Sequence, residues 1–362
     1  MSRTKASFSG RWIPVAVLSL CACGELPREE LIEYARPLAL VAHVVDDAEL
    51  TAPGPTHDPT LVTANTFLPA DTGQIRVLVA DPDGTVDPMR IEQRFIACLR
   101  SPLEEAHTCI REGLRANASP PPCDDVPNDT MDQAIICTLE SDATDSFVFP
   151  LHPSLAQGRE LTMGYFGGVD RPVADCVEVM ASGADKLPDD CLYATHALPL
   201  GPPDAVADRL ETLGVAFELP EGLPADDRGL NPAVEEIEVR VGSTEENATT
   251  IQASSGQEIE VGPDQHVWIT VDYAEGSEQP YSEPISGTNE VAELDETLLT
   301  RWYATQGEFE SILSRGLQAE TQWTPDEGAA GMNGSLPADI YAIGRDGRWG
   351  GTWVHLRIVA RP

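Results

Sequence analysis

Six cysteines, Cys98, Cys109, Cys123, Cys137, Cys176 and Cys191, are the residues whose type and crowding point most directly to chemistry, and all fall within residues 98–191. Such a set can close disulfides or hold a metal. Zinc asks for closely spaced ligand pairs, yet the chain has no Cys-x-x-Cys, and Cys191 with His196 lacks a second close pair to complete a site. Three disulfides are the expectation. Six cysteines allow fifteen pairings and spacing does not choose among them; a neighbour scheme joins Cys98 to Cys109, Cys123 to Cys137 and Cys176 to Cys191.

The histidines, His43, His57, His107, His152, His196, His266 and His355, show no His-Glu-x-x-His spacing, and no Gly-x-Ser-x-Gly elbow is present. No catalytic residue and no metal ligand is assigned from them, and no cofactor is implied. His266 and His355 stand opposite the apolar registers of their strands and read as surface residues. Asp81-Pro82-Asp83-Gly84-Thr85-Val86-Asp87 carries carboxylates at positions 1, 3 and 7, but its glycine comes too early for a calcium loop of the EF-hand type. A structural turn is the better reading. Trp349 and Trp353 flank the final turn, Trp353 on the polar register with His355 and Arg357. They either form an exposed aromatic face for carbohydrate or a partner strand, or pack under a loop or against the first domain; the packed reading is preferred.

Compositional limits are firmer. The 362 residues carry 60 acidic against 23 basic side chains, a net charge of −37. A surface of that sign repels phosphate, so nucleic acid is not an expected partner. With 41% hydrophobic residues, 30 prolines and 29 glycines spread along the chain, many short strands joined by turns are expected.

Arg3, Lys5 and Arg11 precede an apolar run from Trp12 to Leu20, too short to span a bilayer as a helix. The run ends in Leu20-Cys21-Ala22-Cys23-Gly24, which resembles the bacterial lipobox. The resemblance implies cleavage before Cys23, a diacylglyceryl thioether on Cys23, and an acylated new N-terminus. Two or three acyl chains make a lasting anchor without a transmembrane helix. With Gly24 rather than aspartate after the cysteine, the outer membrane is the expected location.

The elements that must hold these residues follow in order. Residues 1–22 read as signal and 23–35 as a tether. Residues 36–218 read as a cysteine-rich β domain with short helices. Leu38, Leu40, Ala42 and Val44 alternate as an edge or half-buried strand, and Gln74–Ala80 as another that runs into the turn at Asp81. Further strands are expected at Ile91–Leu99, Ile135–Leu139, Phe147–Phe149, Leu161–Phe166, Val173–Met180 and Leu192–Leu198. Ser101-Pro102-Leu103-Glu104 reads as a capping box with Gly113 closing its helix, and Asp204 reads as the cap of a second helical pattern through Val206, Leu210 and Leu213 that Gly214 stops. Residues 219–231 read as linker and 232–362 as a cysteine-free β domain, in which Val267, Ile269, Val271 and Tyr273 alternate with polar partners, as do Val354, Leu356 and Ile358.

This last domain resembles the bacterial immunoglobulin-like or PKD-like sandwich, through Leu299–Ala304, Thr321–Pro325, Asp339–Ile343 and Arg345–Gly351. The resemblance implies that Trp302 is the buried strand-C tryptophan, that Tyr341 stands at the tyrosine corner, and that Ile343 replaces the second cysteine, so no inter-sheet disulfide forms. The hairpin at Asp346 would take its positive φ from glycine. The expected fold is mainly β: two antiparallel sandwich-like domains, the first with short helices and disulfides, the second immunoglobulin-like. The chain also resembles uncharacterised envelope lipoproteins of environmental Gram-negative bacteria. The expected function is a lipid-anchored, non-catalytic binding, adhesion or assembly module with an envelope protein or carbohydrate as partner. Its alternatives are a hydrolase sited in the cysteine-rich half and a calcium-dependent adhesion protein.

Overall fold

A computed structural model describes residues 29–45, 57–99, 106–127, 135–139, 146–152, 160–184, 186–212, 214, 228–262, 264–284, 291–325 and 337–360. Cys23 and the lipobox, the capping box at Ser101, and residues 219–227 lie outside them.

The first unit runs β1 (Arg36–Val44), β2 (Thr72–Asp81), β3 (Gly84–Thr85), β4 (Ile91–Cys98), α1 (Ala106–Ala116), β5 (Ile136–Thr138), β6 (Ser146–Val148), β7 (Glu160–Val169), α2 (Val173–Ala181), β8 (Cys191–Pro199) and α3 (Pro203–Glu211). One antiparallel sheet has the order β1-β2-β3 with β6 also on β2; the other has the order β5-β4-β7-β8. Alternation explains how they stack. Leu40, Ala42, Ile75 and Val79 from the first sheet meet Phe95, Ala97, Met163 and Tyr165 from the second in a single core. On the far side of the second sheet, Ile96 and Phe166 pack against Ile110 and Leu114 of α1 and Val173 and Val177 of α2.

Three disulfides, Cys98–Cys109, Cys123–Cys137 and Cys176–Cys191, staple this helix layer and its loops to the strands.

Three local expectations are corrected. Val173–Met180 is helix α2 and not a strand, because its buried residues Val173, Cys176, Val177 and Met180 recur at three and four, the period of a helix stripe. Gly113 does not end α1, which continues to Ala116. A Cβ there would sit 2.4 Å from Cγ2 of Ile136, so the glycine permits close approach of helix to strand. Asp204 lies in the first turn of α3 and does not cap it, since Pro202 precedes the helix and Pro203, whose fixed φ suits a first helical position, begins it; Gly214 does take a positive φ of 71° beyond the end of α3.

The second unit runs β9 (Val234–Gly242), β10 (Thr249–Gln252), β11 (Gln257–Val261), β12 (His266–Tyr273), β13 (Pro280–Pro284), β14 (Val291–Asp295), β15 (Leu299–Ala304), β16 (Glu308–Phe309), β17 (Leu313–Arg315), β18 (Gln318–Thr324), β19 (Ala338–Arg345) and β20 (Gly351–Ala360). Two five-stranded sheets, β10-β9-β12-β18-β16 and β11-β20-β19-β15-β17, form a sandwich, with β11 parallel to β20 and β13-β14 a separate ribbon. This order puts β15 where immunoglobulin-type folds have strand C. Trp302 on β15 is fully buried between the sheets, its Nε1 donating to Ser314 Oγ at 3.2 Å.

β1 lies at the edge of its sheet, as one of the two expected alternatives has it, but it is not half-buried. Every residue of β1 from Leu38 to Val44 is buried: Leu40, Ala42 and Val44 feed the first unit's core, while Leu38, Ala39 and Val41 pack with Leu78 and Ala80 against Tyr341, Ile343 and Trp353 of the second unit. The α1–α2 layer and four sheets therefore stack as five layers, with α3 packed apart on Leu68 and Leu200, and the strands at the seam bury both faces. Tyr341 turns its hydroxyl to Oγ1 of Thr85 in the first unit, 3.0 Å away. Residues 29–32, within the expected tether, also join the seam: Ile32 N–H donates to the Ala304 carbonyl at 2.9 Å, Ala304 N–H to that of Glu30 at 3.0 Å, and Arg301 meets Glu29 at 2.6 Å. Among the described residues no helix is long and apolar enough to cross a membrane.

Candidate functional site

Stacking two twisted sandwiches through one pair of sheets closes the middle of the seam and leaves its end open. There a groove of about 1350 Å³ runs between the units. One wall is β2 from Ile75 to Leu78 with Pro88, Met89 and Ile91; the other is β9 from Val234 to Ile237 with the turn Ser254-Ser255-Gly256; Trp353 and His355 close its end and Tyr165 lies at its floor.

Each floor residue has a physical reason for its state. The His57 ring stacks on the indole of Trp353 with centroids 3.6 Å apart, and its Nε2 accepts from the Trp353 N–H at 3.2 Å, which places the ring proton on Nδ1. Burial pulls its pKa down to about 3, so it is neutral at physiological pH. Tyr165 is fully buried and its hydroxyl lacks a hydrogen-bond partner among the described residues; burial pushes that phenol up.

His355 is not the surface residue its register suggests, because the face opposite the sandwich core packs toward the first unit. Its Nε2 lies 2.5 Å from Oδ1 of the buried Asp339, its ring stacks on Tyr341 at 4.9 Å, and its backbone N–H donates to Ser255 Oγ at 3.1 Å. Histidine, carboxylate and serine thus come together, on the second unit's wall rather than in the cysteine-rich half. The serine meets the backbone of His355 and not its ring, so the arrangement orients an imidazole more than it activates a nucleophile. Trp353, 9% exposed, takes the packed option of the two readings.

A second polar cluster lies across the same seam. Asp346 Oδ1 accepts from the N–H groups of Arg348 and Gly350, both at 2.7 Å, and shapes the turn between β19 and β20. The positive φ expected of a glycine there belongs to Trp349, at 69°. Trp349 is half exposed and sets its ring edge toward His196, 6.2 Å between centroids. Burial raises Asp346 to about 6; burial first, and the Asp346 charge second, raise Glu296 to about 7. Arg348 approaches Glu296 Oε1 at 3.6 Å and covers the Tyr281 ring at 5.1 Å.

The calcium-like loop spends its carboxylates on its own backbone: Asp81 Oδ1 accepts from Asp83 N–H and Asp87 Oδ1 from Met89 N–H, each at 2.9 Å. Among the described residues no three His, Cys, Asp or Glu side chains gather as a metal site. The groove could not be found in the sequence, since His57, Tyr165, Trp353 and His355 come from distant segments and meet only through the seam.

No protein-family model matches this chain, and no curated protein matches it. Among solved structures it is similar to dimeric latent PorU from Porphyromonas gingivalis, at 10% identity and a TM-score of 0.19, over 89% of this chain and 34% of that one. The chain spans about a third of that protein's length, and a likeness this slight carries no argument about function.

Proposed function

We propose that this is a lipid-anchored envelope protein acting as a non-catalytic binding or assembly module, with its ligand held in the groove between the two units. The groove is the observation that carries the reading: at about 1350 Å³ it exceeds an ordinary small-molecule pocket, and its walls come from two units locked by a shared apolar seam. Export and anchoring rest on the lipobox resemblance at Cys23 and agree with three disulfides, which persist in oxidising compartments.

The test is a photo-crosslinking amino acid placed at Met89, which is 92% exposed on the groove's rim, and for comparison at Leu313, exposed on β17 of the second unit. Discrete adducts from the Met89 site alone support the reading. Equal patterns from both sites, or none from Met89, remove it.

A hydrolase is the second reading, favoured by the contacts among Asp339, His355 and Ser255 on the groove wall. It requires His355→Ala to abolish turnover of activated esters at a temperature where circular dichroism shows the variant still folded. Wild-type protein inert toward such esters dismisses it.

A further inference from the structure

The chain holds seven asparagines, and four of them, Asn117, Asn128, Asn247 and Asn333, stand two residues before a serine or threonine with no proline between. Serine and threonine make up about one residue in eight, so chance alone supplies about one such placement among seven. This spacing is the acceptor pattern for N-linked saccharide in exported chains, where it belongs on an exposed loop.

The fold sorts the asparagines by the same rule. Asn65 and Asn231, followed at the second position by Phe67 and Ala233, are 1% and 4% exposed. Asn117 and Asn247 both carry the pattern, and both are exposed. Asn128, Asn289 and Asn333 lie outside the described residues.

The two exposed sites use their side chains differently. Asn117 closes α1: its N–H donates to the Gly113 carbonyl at 2.9 Å and its Oδ1 accepts from Ser119 N–H at 3.1 Å, just before the buried Pro120. Opening that site undoes the end of a helix. Asn247 instead lies in the turn between β9 and β10, in an exposed run from Ser243 to Asn247 that resumes at Thr249 and Thr250. Its Nδ2 donates to Oγ1 of the exposed Thr244 at 3.1 Å, a partner that water can replace. The backbone bonds of this turn, Asn247 N–H to the Thr244 carbonyl and Ala248 N–H to that of Glu245, are both 3.2 Å, the long end for amide hydrogen bonds. A turn held this loosely opens locally and leaves the sandwich intact.

We propose that Asn247 is a site of N-linked glycosylation, with a polyprenyl diphosphate-linked oligosaccharide as the donor outside the cytoplasm. Asn247 Nδ2 attacks the anomeric carbon of the donor's first sugar. The C–N bond forms as the anomeric C–O bond breaks, the lipid diphosphate leaves with the electron pair, and the amide gives one proton to a base of the transferase. Thr249 supplies the hydroxyl that completes the acceptor. The turn stands at the opposite end of β9 and β10 from Val234–Ile237 and Ser254-Ser255-Gly256, so the saccharide leaves the groove walls clear. This inference goes beyond the groove reading and rests only on export of the chain.

The test is mass-spectrometric peptide mapping of the full chain purified from the cells that naturally make it, with fragmentation that locates the modified residue. The expected result is a saccharide mass on Asn247, lost completely in Asn247→Gln and in Thr249→Ala, with both variants folded by circular dichroism. An Asn247 peptide found only bare, in protein whose signal has been removed, overturns the proposal and leaves export standing. A saccharide on Asn117 or on Thr249 in its place, or one on Asn247 that survives Thr249→Ala, overturns it as well. A chain that keeps residues 1–22 is the failure of the export reading, and this inference falls with it.

Discussion

The side chain of Asn231 accepts a hydrogen bond from the amide of Gly351 at 2.9 Å, and so ties the entrance of the second unit to the start of its last strand. Its Nδ2 donates to the Ala42 carbonyl of β1 at 2.9 Å and to Thr63 Oγ1 at 3.0 Å, all in a buried setting. One amide thereby joins β1, the loop before β2 and β20. Asn231→Ala strands a buried amide N–H and two buried oxygens, and is expected to cost about 2–4 kcal/mol in denaturant unfolding. A loss below about 0.5 kcal/mol would show that the seam does not depend on it.

Trp302 fills the middle of the second sandwich with no disulfide to share the load. Trp302→Ala should destabilise the protein by about 3–5 kcal/mol. In the first unit, Cys176→Ser with Cys191→Ser opens a loop of sequence separation 15 and should cost about 3 kcal/mol. Calorimetric melting of both variants checks the two figures, and an unchanged Trp302→Ala melt contradicts the sandwich core.

The turn between β19 and β20 makes opposite predictions at adjacent positions. Trp349 stands at a φ of 69°, which favours glycine, so Trp349→Gly relieves about 1 kcal/mol of backbone strain against the small contact its half-exposed ring makes. A Cβ on Gly350 would lie 2.0 Å from Asp346 Oδ2, so Gly350→Ala must distort the turn. Thermal melts should order the proteins with Trp349→Gly at or above wild type and Gly350→Ala below it; the reverse order refutes this account of the turn.

Stability should depend on pH with a definite sign. Glu296 and Asp346 hold their protons in the folded protein up to about 7 and about 6, above the ordinary 4.5 and 3.8, so folding weakens as pH rises through the higher values. His57 and His196 act oppositely: burial lowers them to about 3 and about 4 from 6.5, so acid below that value draws protons onto the unfolded chain. Melting temperature should rise as pH falls from about 8 to about 6.5, and the rise should stop where the histidines of the unfolded chain begin to charge. Glu296→Gln should flatten the alkaline limb; a limb unchanged by that substitution contradicts the burial argument.

How much of this was legible in the sequence depends on what each element faces. The strand at Arg36, the strand running into Asp81, and the alternation of Val267 to Tyr273 were readable because one buried face leaves a period of two. The period of three and four in Val173, Cys176, Val177 and Met180 was also present, but the valines, which favour strands, masked it. Trp353, His355 and Tyr341 look like an outward face when the sandwich is considered alone. Only a second sheet, supplied by residues far earlier in the chain, Leu38 to Ala80, turns that face into a seam and its open end into a groove.

Anchoring and export underlie the whole proposal, and intact-mass spectrometry of the detergent-extracted protein, before and after reduction, tests them together. The expected chain begins at Cys23, carries diacylglyceryl and acyl groups, and gains the mass of about six hydrogens when three disulfides are reduced. An unmodified N-terminus, or a mass that reduction leaves unchanged, would contradict a lipid-anchored envelope protein.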